Sequence, residues 1–331
     1  MNKNYPNVVV VGGGTGTSVV LSGLKKHPVN VSAIISVADS GGSTGRLRDE
    51  FGFLPVGDMR QSLAALAESK DQAWIQKLLL YRFNHGEGLQ GHNLGNLMLT
   101  ALQDMAGSTP KAIEIAERIF NLEGSIFPVT DRNVELVVEY TDGTFVIGEH
   151  HLNPEKSGGK KIKHIRLSPK APLYAKAKQA LMSADMIVIG PGDLYASLLP
   201  NLVVGGIKSV FKQSKAKIVY VVNLMTSFTQ THHYSATDHI AEITKYIGRK
   251  PDFCIINHGA IPPDIAKAYQ KQQEHAVIDD VDRQKYTVIA GELVGVVTAA
   301  NHSSDTIKRS LLRHHQEKLT GLLLTILHPK A

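Results

Sequence analysis

Residues Val8–Thr17 read Val-Val-Val-Val-Gly-Gly-Gly-Thr-Gly-Thr, and this stretch decides the fold. Four successive valines predict a strand buried on both faces, as in a parallel sheet covered by helices. The glycines that follow allow a turn too tight for side chains, and the apolar pattern from Ser18 to Leu24 predicts a helix directly after it. Backbone N–H groups and the helix dipole then both face the loop, so we predict an anion site, most naturally for phosphate.

Length and composition indicate an ordinary globular protein. The 331 residues suffice for one large α/β domain or two smaller ones, and 43% hydrophobic with 20% charged residues is a usual balance. No apolar run approaches the roughly 20 residues of a membrane helix, and the segment before Val8 leaves no room for a signal peptide. The lone Cys254 excludes a disulfide within the chain. We therefore expect a cytoplasmic protein without a membrane span.

The net charge of +6 comes largely from a basic run between Lys156 and Lys178. Few aromatic side chains interleave with these charges, so the run does not resemble a surface on which nucleic-acid bases stack. It predicts a solvated basic face that helps to attract a phosphorylated ligand. Nucleic acid is not expected as a partner.

Short apolar runs recur along the chain with helical stretches between them, which predicts an α/β fold with a doubly wound parallel sheet. These runs are Val31–Val37, Met186–Ile189, Ile218–Val222 and Phe253–Ile256.

The middle of the chain has a different pattern. Val134–Tyr140 and Thr144–Gly148 flank an Asp-Gly turn and predict a hairpin, and Ile162–Leu167 adds a further strand. We therefore predict a small β-rich insertion at residues 122–170 within a single α/β core formed by residues 1–121 and 171–331. The apolar segment Leu311–Leu327 is predicted to be the final helix.

Polar or glycine-rich segments follow all five predicted core strands. In an open parallel sheet, ligands bind outside the carboxyl ends of the strands, so these segments predict one polar cleft. They are Gly12–Thr17, Ala38–Arg48, Gly190–Tyr195, Asn223 and Asn257–Gly259.

The first glycine loop is an incomplete dinucleotide fingerprint. The pattern Gly-x-Gly-x-x-Gly would start at Gly12 and Gly14, but it meets Thr17 where the last glycine belongs. Asp39 stands where a ribose-binding acid is expected, which keeps a nicotinamide dinucleotide open as a ligand. A second loop of the anion-binding type, which contains Arg46, follows Asp39 directly, and such a loop is unusual for a dehydrogenase. The first loop is not a Walker motif either, because no Gly-Lys-Ser/Thr ends it.

Two predicted helix starts carry further polar candidates. Asp58 fits either a helix N-cap or a residue that binds ligand or metal. Asn93 and Asn96 are three residues apart on one helix face, so both amides could reach the same ligand, although Asn93 also suits an N-cap. Asp39, Asp58 and Asp193 are the candidates for catalytic acids.

Taken together and in order, six segments resemble the motifs of the bacterial gluconeogenesis factor family, which is related to 2-phospho-L-lactate transferase. The segments are Val8–Thr17, Val37–Arg48, Pro55–Arg60, Gly91–Asn96, Gly190–Leu202 and Asn223–Thr226. The resemblance implies a Rossmann-like three-layer fold and a cytoplasmic protein needed for growth and cell shape under gluconeogenic conditions. It also implies binding of UDP-N-acetylglucosamine and, by way of the transferase, a possible role for Mg²⁺.

The resemblance and the strand-end segments together give the ligand-binding candidates. They are Gly13, Gly14, Thr15, Gly16, Thr17, Asp39, Ser40, Gly41, Gly42, Ser43, Arg46, Asn93, Asn96, Gly192, Asn223, Asn257 and Tyr269. Asp39 and Asp58 are the candidates for holding Mg²⁺.

The chain departs from the family pattern at four places. Ser40 stands where many members have a second Asp, which removes one carboxylate from the possible metal site. Asp193 replaces the Ser of Gly-Pro-Gly-Ser-Leu, and Ser227–Thr231 replaces Gln-x-Gly-Glu-Thr. Asn301 precedes His302 where an Arg-His pair is common, which predicts altered affinity for the sugar nucleotide.

Three functional hypotheses follow. The first is a regulatory factor that binds a nucleotide sugar and acts through protein partners in cell-wall synthesis, with self-association left open. The second is a metal-dependent transferase, and the third an NAD-dependent oxidoreductase. The missing second Asp and the absence of a recognisable nucleophile–base arrangement favour the first.

Overall fold

The computed structural model describes residues 2–67, 73–296 and 311–329. A seven-stranded parallel sheet in the order β10-β9-β8-β7-β1-β2-β3 forms the core. Two small antiparallel sheets, β5-β4-β6 and β11-β12, lie outside it. The strands are β1 Asn7–Gly12, β2 Asn30–Ile35, β3 Ser125–Pro128, β4 Glu135–Tyr140, β5 Phe145–Ile147, β6 Ile162–Ser168, β7 Met186–Ile189, β8 Lys217–Val221, β9 Phe253–Asn257, β10 Val288–Gly291, β11 Val294–Val296 and β12 Leu312–His314.

Helices cover the sheet in two groups that give the fold three layers: α1 packs with α3 and α13, and α10 packs with α8 and α11. The helices are α1 Gly14–Leu24, α2 Gly42–Phe51, α3 Gly57–Leu66, α4 Ala73–Leu80, α5 Leu94–Ala106, α6 Thr109–Ile119, α7 Pro154–Ser157, α8 Ala175–Met182, α9 Leu199–Leu202, α10 Ile207–Gln213, α11 Ala236–Ile247, α12 Pro263–Gln270 and α13 Gln316–Leu327. The predicted α/β fold with a parallel sheet is confirmed.

The glycine stretch is shorter as a loop than the sequence suggested. Val8 to Val11 are at most 2% exposed, as predicted for a strand covered on both faces. Helix α1 begins at Gly14 and not at Ser18, because the chain turns within two residues: Gly13 is extended and Gly14 is left-handed, with φ +68°. The glycines after Gly13 therefore lie in the first turn of the helix, where their backbone N–H groups have no partner within the helix.

The strand order reverses direction at β1, which has β2 on one side and β7 on the other. Such a switch point is where ligands bind in doubly wound sheets. The loops after β1 and β7 touch there, since a Cβ atom on Gly16 would lie 2.3 Å from the carbonyl oxygen of Pro191.

The predicted hairpin is present as β4 and β5, and β6 completes the small sheet. The insertion boundary differs from the prediction, because β3 pairs with β2 in the main sheet although it lies within residues 122–170. Leu136, Val138 and Tyr140 share one face of β4 and belong to the hydrophobic core, which places that face of the small sheet inside the protein.

The last segment is not one continuous helix. Leu312–His314 pairs with β11 as a strand, and the buried His314 contacts the carbonyl oxygen of Val222, so α13 starts only at Gln316. Asn301 and His302 lie outside the described residues. Within the described ranges, every helix is too short or too polar to cross a membrane.

Candidate functional site

A cleft of about 970 Å³ opens at the carboxyl ends of the central strands. Its walls come from the loops after β1, β2, β7 and β8, from the start of α3, and from the insertion. The volume lies at the upper end of the range for small-molecule sites.

Asp58 lies in the first turn of α3, and its carboxylate contacts the glycine loop. The N-cap of α3 is Val56, so of the two roles left open for Asp58 the helix cap is excluded. The carboxylate instead crosses to the loop, where it accepts the backbone N–H of Gly14. A Cβ atom on Gly13 would lie 2.3 Å from Asp58 Oδ2, so glycine is required there to admit the carboxylate. The predicted anion site thus already faces an anionic group of its own chain.

Asp39 fixes the second loop in a similar way. Its Oδ1 accepts the backbone N–H of Gly41 at 3.0 Å, and the Thr44 hydroxyl donates to the same carboxylate. A Cβ atom on Gly57 would lie 2.5 Å from Asp39 Oδ2, so a second glycine makes room for a second carboxylate. Asp39 and Asp58 both line the cleft, as the sequence predicted.

The insertion supplies a further carboxylate, Glu149, that sequence reasoning missed. Glu149 begins a short 3₁₀ helix after β5, lines the cleft and accepts the backbone N–H of Ser40. The neighbouring His150 holds the Ser40 hydroxyl through its backbone N–H at 3.1 Å and its Nδ1 at 2.8 Å. Ser40 therefore ties the insertion to the core and does not line the cleft itself.

The carboxylates influence one another's ionisation. Burial away from water, and after it the charge of Asp39, raises the pKa of Asp58 to about 7. Burial is also the main reason why the pKa of Glu149 is raised to about 8. The charges of Asp39, Asp58 and Asp193 add to this effect. The pKa of Asp39 is also raised by burial, against the opposing effect of the Gly41 N–H. The free cleft therefore retains protons near neutral pH and is suited to a ligand that brings positive charge or hydrogen-bond donors.

We expect the free energy of unfolding to fall as the pH rises from about 5 to about 8. The folded state keeps protons on Asp58 and Glu149 up to pKa values of about 7 and about 8, whereas the unfolded chain releases them near 3.8 and 4.5. Asp58→Asn should reduce this loss by on the order of 2 kcal/mol in urea titrations at the two pH values. Asp104→Asn, at an exposed position of α5, is the matched control. Equal pH slopes for wild type and Asp58→Asn would contradict the expectation.

Arg60 is the cation next to the acidic pair. It is only 8% exposed, and its Nε donates to Asn96 Oδ1 at 2.8 Å while Nη1 donates to the carbonyl oxygen of Leu79 at 3.3 Å. Its charge lowers the pKa of both Asp39 and Asp58, against the larger effect of burial. Arg60 thus connects the acidic pair to α4 and α5.

The two asparagines of α5 do not act alike. Asn93 lines the cleft and caps α5, since its Oδ1 accepts the backbone N–H of Asn96 at 3.2 Å. Asn96 is 2% exposed, and its amide donates to the hydroxyls of Ser43 and Thr44. Asn96 therefore positions the second loop from behind and does not open into the cleft.

Tyr269 lines the cleft with its hydroxyl already occupied. The hydroxyl accepts the backbone N–H groups of Leu311 and Leu312 at 3.0 and 3.2 Å, which fixes the start of β12 beside the cleft. Asn223, at the end of β8, leaves its buried Oδ1 without a hydrogen-bond partner among the described residues. An unpaired buried acceptor costs about 1–3 kcal/mol, so this oxygen favours a ligand with a donor.

The remaining sequence candidates divide by position. Those that line the cleft besides the residues above are Gly13, Gly14, Thr15, Gly16, Gly41, Gly42, Gly192 and Asp193. Those that do not are Thr17, Ser40, Ser43, Arg46, Asn96 and Asn257. Thr17, for example, is fully buried with its hydroxyl on the carbonyl oxygen of Gly13, and Asn257 closes the turn to Gly259. Within the described ranges, no three His, Cys, Asp or Glu side chains are placed to hold one metal ion.

Comparison with known proteins shows the family of this chain. The chain is 40% identical over 321 residues to the gluconeogenesis factor of Halalkalibacterium halodurans, covering 96% of this chain and 95% of that protein. It is 37% identical over 328 residues to the gluconeogenesis factor of Bacillus subtilis, covering 97% and 98% of the two chains. The chain belongs to the gluconeogenesis factor family.

Broader comparisons agree with this gluconeogenesis factor assignment. The family model described as 2-phospho-L-lactate transferase CofD matches residues 8–294. A crystal structure of a Bacillus halodurans protein has a TM-score of 0.88 at 38% identity and covers 97% of this chain and 100% of its own. A second structure from that organism, of a UPF0052 family member, has a TM-score of 0.87 at 38% identity and covers 96% and 99%. The carboxylates of the cleft all lie within the matched range, whereas β12 lies beyond it.

Proposed function

We propose that this gluconeogenesis factor family member is a cytoplasmic regulatory protein that binds UDP-N-acetylglucosamine and supports growth and cell shape under gluconeogenic conditions. The observation that carries the proposal is the large polar cleft at the switch point, in which the loops after β1 and β7 meet. Protein partners in cell-wall synthesis would transmit the bound state.

Hydrogen-bonding groups of the cleft suit a nucleotide sugar. Backbone N–H groups at the start of α1, apart from that of Gly14, which Asp58 accepts, would donate to a diphosphate. The free Oδ1 of Asn223 would accept a hydrogen bond from a hydroxyl or from the imide N–H of a base. Sugar hydroxyls would donate to the carboxylates, which accept hydrogen bonds at both oxygens.

The donor set fits Mg²⁺ bound together with the ligand. Mg²⁺ is usually held by one or two carboxylates plus substrate phosphates and not by a complete protein cage. Asp39 and Asp58 offer two carboxylates beside the glycine loop, and no third protein ligand completes a site in the described residues. Mg²⁺ held there would neutralise the repulsion between these acids and a diphosphate.

Calorimetric titration with UDP-N-acetylglucosamine tests the proposal. We expect saturable binding that Mg²⁺ strengthens by about tenfold or more. The cation would neutralise the repulsion between the diphosphate and the carboxylates, and the diphosphate would in turn add ligands for the cation. Asp39→Asn should lose most of the Mg²⁺ dependence. Binding of NAD or GDP without binding of UDP-N-acetylglucosamine would contradict the proposal.

A metal-dependent transferase is the second candidate, and the match to the 2-phospho-L-lactate transferase model over residues 8–294 favours it. In such a reaction an acceptor hydroxyl attacks the phosphorus that carries the donated group. The phosphoanhydride bond breaks, and the nucleoside monophosphate leaves with the electron pair. The hydroxyl proton would pass to a carboxylate such as Asp39 or Asp58. This chemistry needs little beyond positioning and charge neutralisation.

Release of nucleoside monophosphate separates the two candidates. A transferase incubated with Mg²⁺, an acceptor alcohol and a nucleotide-linked phospho-lactyl donor should release it, and Asp39→Asn should abolish the release. A regulator should bind the sugar nucleotide and return it unchanged. Full biological complementation by Asp39→Asn would contradict catalysis through this residue.

A further inference from the structure

Asp193 stands at a helix N-cap but does not cap the helix. The chain turns after β7 into a π-helical turn, Leu194–Leu198, for which Asp193 is the N-cap residue. An Asp at this position normally accepts the backbone N–H of the second or third helical residue. Here its side chain makes no such bond, and more than a third of its surface opens to the cleft.

Gln230 takes the capping bonds instead. Its Oε1 accepts the N–H of Tyr195 at 3.1 Å and of Ala196 at 3.0 Å, which are the second and third residues of the turn. The side-chain amide also hydrogen-bonds the Asp193 carboxylate. Gln230 is 7% exposed and lies in a turn closed by its own N–H on the carbonyl oxygen of Ser227. The amide is therefore held in place from both sides.

We propose that Gln230 is a positioning residue that caps this turn in place of Asp193 and thereby directs the Asp193 carboxylate to the ligand. Gln230 already bonds the backbone N–H groups of the second and third residues of the turn. The Asp193 carboxylate is therefore not needed as their acceptor. The two positions are also two of the four departures from the family pattern, and Gln230 bonds the second and third residues after Asp193. They form one unit that places a carboxylate on the wall formed by the β7 loop.

The ligand group that Asp193 meets is a hydrogen-bond donor. Asp193 is exposed and lines the cleft, so its carboxylate has acceptor positions open there. A hydroxyl of the sugar or ribose supplies such a donor. This assignment of the ligand group rests on the proposed function, whereas the capping role of Gln230 does not.

A stability cycle tests the capping role without any ligand. In Gln230→Ala, Asp193 can turn back and cap the helix, so the melting temperature should change little. In Asp193→Ala, Gln230 still caps it. The double variant loses both caps, so its melting temperature should fall below the sum of the single shifts by about 2 °C or more. Additive shifts would overturn the proposal. Gln213→Ala, which removes an exposed amide that donates to the Ser209 hydroxyl, is the matched control.

An affinity cycle with UDP-N-acetylglucosamine tests the direction of Asp193 toward the ligand. Gln230→Ala should weaken binding by roughly tenfold, and it should cause no further loss in the Asp193→Ala background. Wild-type affinity in Gln230→Ala, or an equal further loss in the double variant, would overturn this part. If the wild type does not bind the sugar nucleotide while the stability cycle is non-additive, the proposed function fails and the capping role stands.

Discussion

Replacing Gly16 with Ala should lower the free energy of unfolding by about 3 kcal/mol and abolish sugar-nucleotide binding. An added Cβ would lie 2.3 Å from the carbonyl oxygen and 2.8 Å from the carbonyl carbon of Pro191. These are backbone atoms at the central switch point, so no side chain can rotate away to make room. The loops after β1 and β7 must separate, and the two walls of the cleft move apart. Urea titration and calorimetric titration measure the two effects.

Gly321→Ala is the matched control for this substitution. Gly321 lies inside α13 with no heavy atom within 4 Å of an added Cβ, so the change should stabilise the protein by about 0.5–1 kcal/mol. Ligand binding should not change. A Gly16→Ala protein as stable as the wild type would show that the two loops are not in contact in solution.

Replacing Arg60 with Met should destabilise the protein by about 3–5 kcal/mol at pH 8 and by less at pH 5. The substitution keeps much of the side-chain volume but removes the charge beside Asp39 and Asp58. It also leaves Asn96 Oδ1 and the carbonyl oxygen of Leu79 without a donor. Asp58, whose pKa is raised to about 7, is largely protonated at pH 5, so less uncompensated charge remains. Urea titrations at both pH values measure the difference.

Arg118→Ala provides the comparison, because Arg118 is an exposed arginine of α6 outside the cleft. It should change the free energy of unfolding by no more than about 0.5 kcal/mol at either pH. If Arg60→Met is equally mild, or costs the same at pH 5 and pH 8, the acidic pair does not depend on this cation.

Much of the fold could be predicted from local patterns. Four consecutive valines and the run Met186–Ile189 predict buried parallel strands, and both strands pair side by side in the sheet. The carboxyl ends of these strands then place the glycine loop and Asp193 on the same wall, as expected. The position of Asp39 in the cleft could be predicted in the same way, because Asp39 follows the carboxyl end of β2.

Other parts depend on contacts that no local pattern encodes. Glu149 reaches the cleft only because the insertion folds back onto Ser40. Arg60 and Gln230 lie in a helix and an irregular segment, where charge and amide groups usually face solvent. The start of Leu311–Leu327 has a helical pattern, yet pairing with β11 outweighs that local preference. Asp58 satisfies the rules for an N-cap, but Gly14 provides a better-placed donor.

The close approach of Gly16 to Pro191 also has a consequence for biosynthesis. The ribosome makes the first glycine turn long before it makes β7, and the insertion lies between them in the chain. A nascent or proteolytically shortened chain that ends before Pro191 therefore lacks one wall of the cleft, whatever else has folded. Contacts between such distant residues form late in folding, since they close a long loop. Chains shortened in this way should therefore not compete with the longer protein for a ligand that contacts both walls.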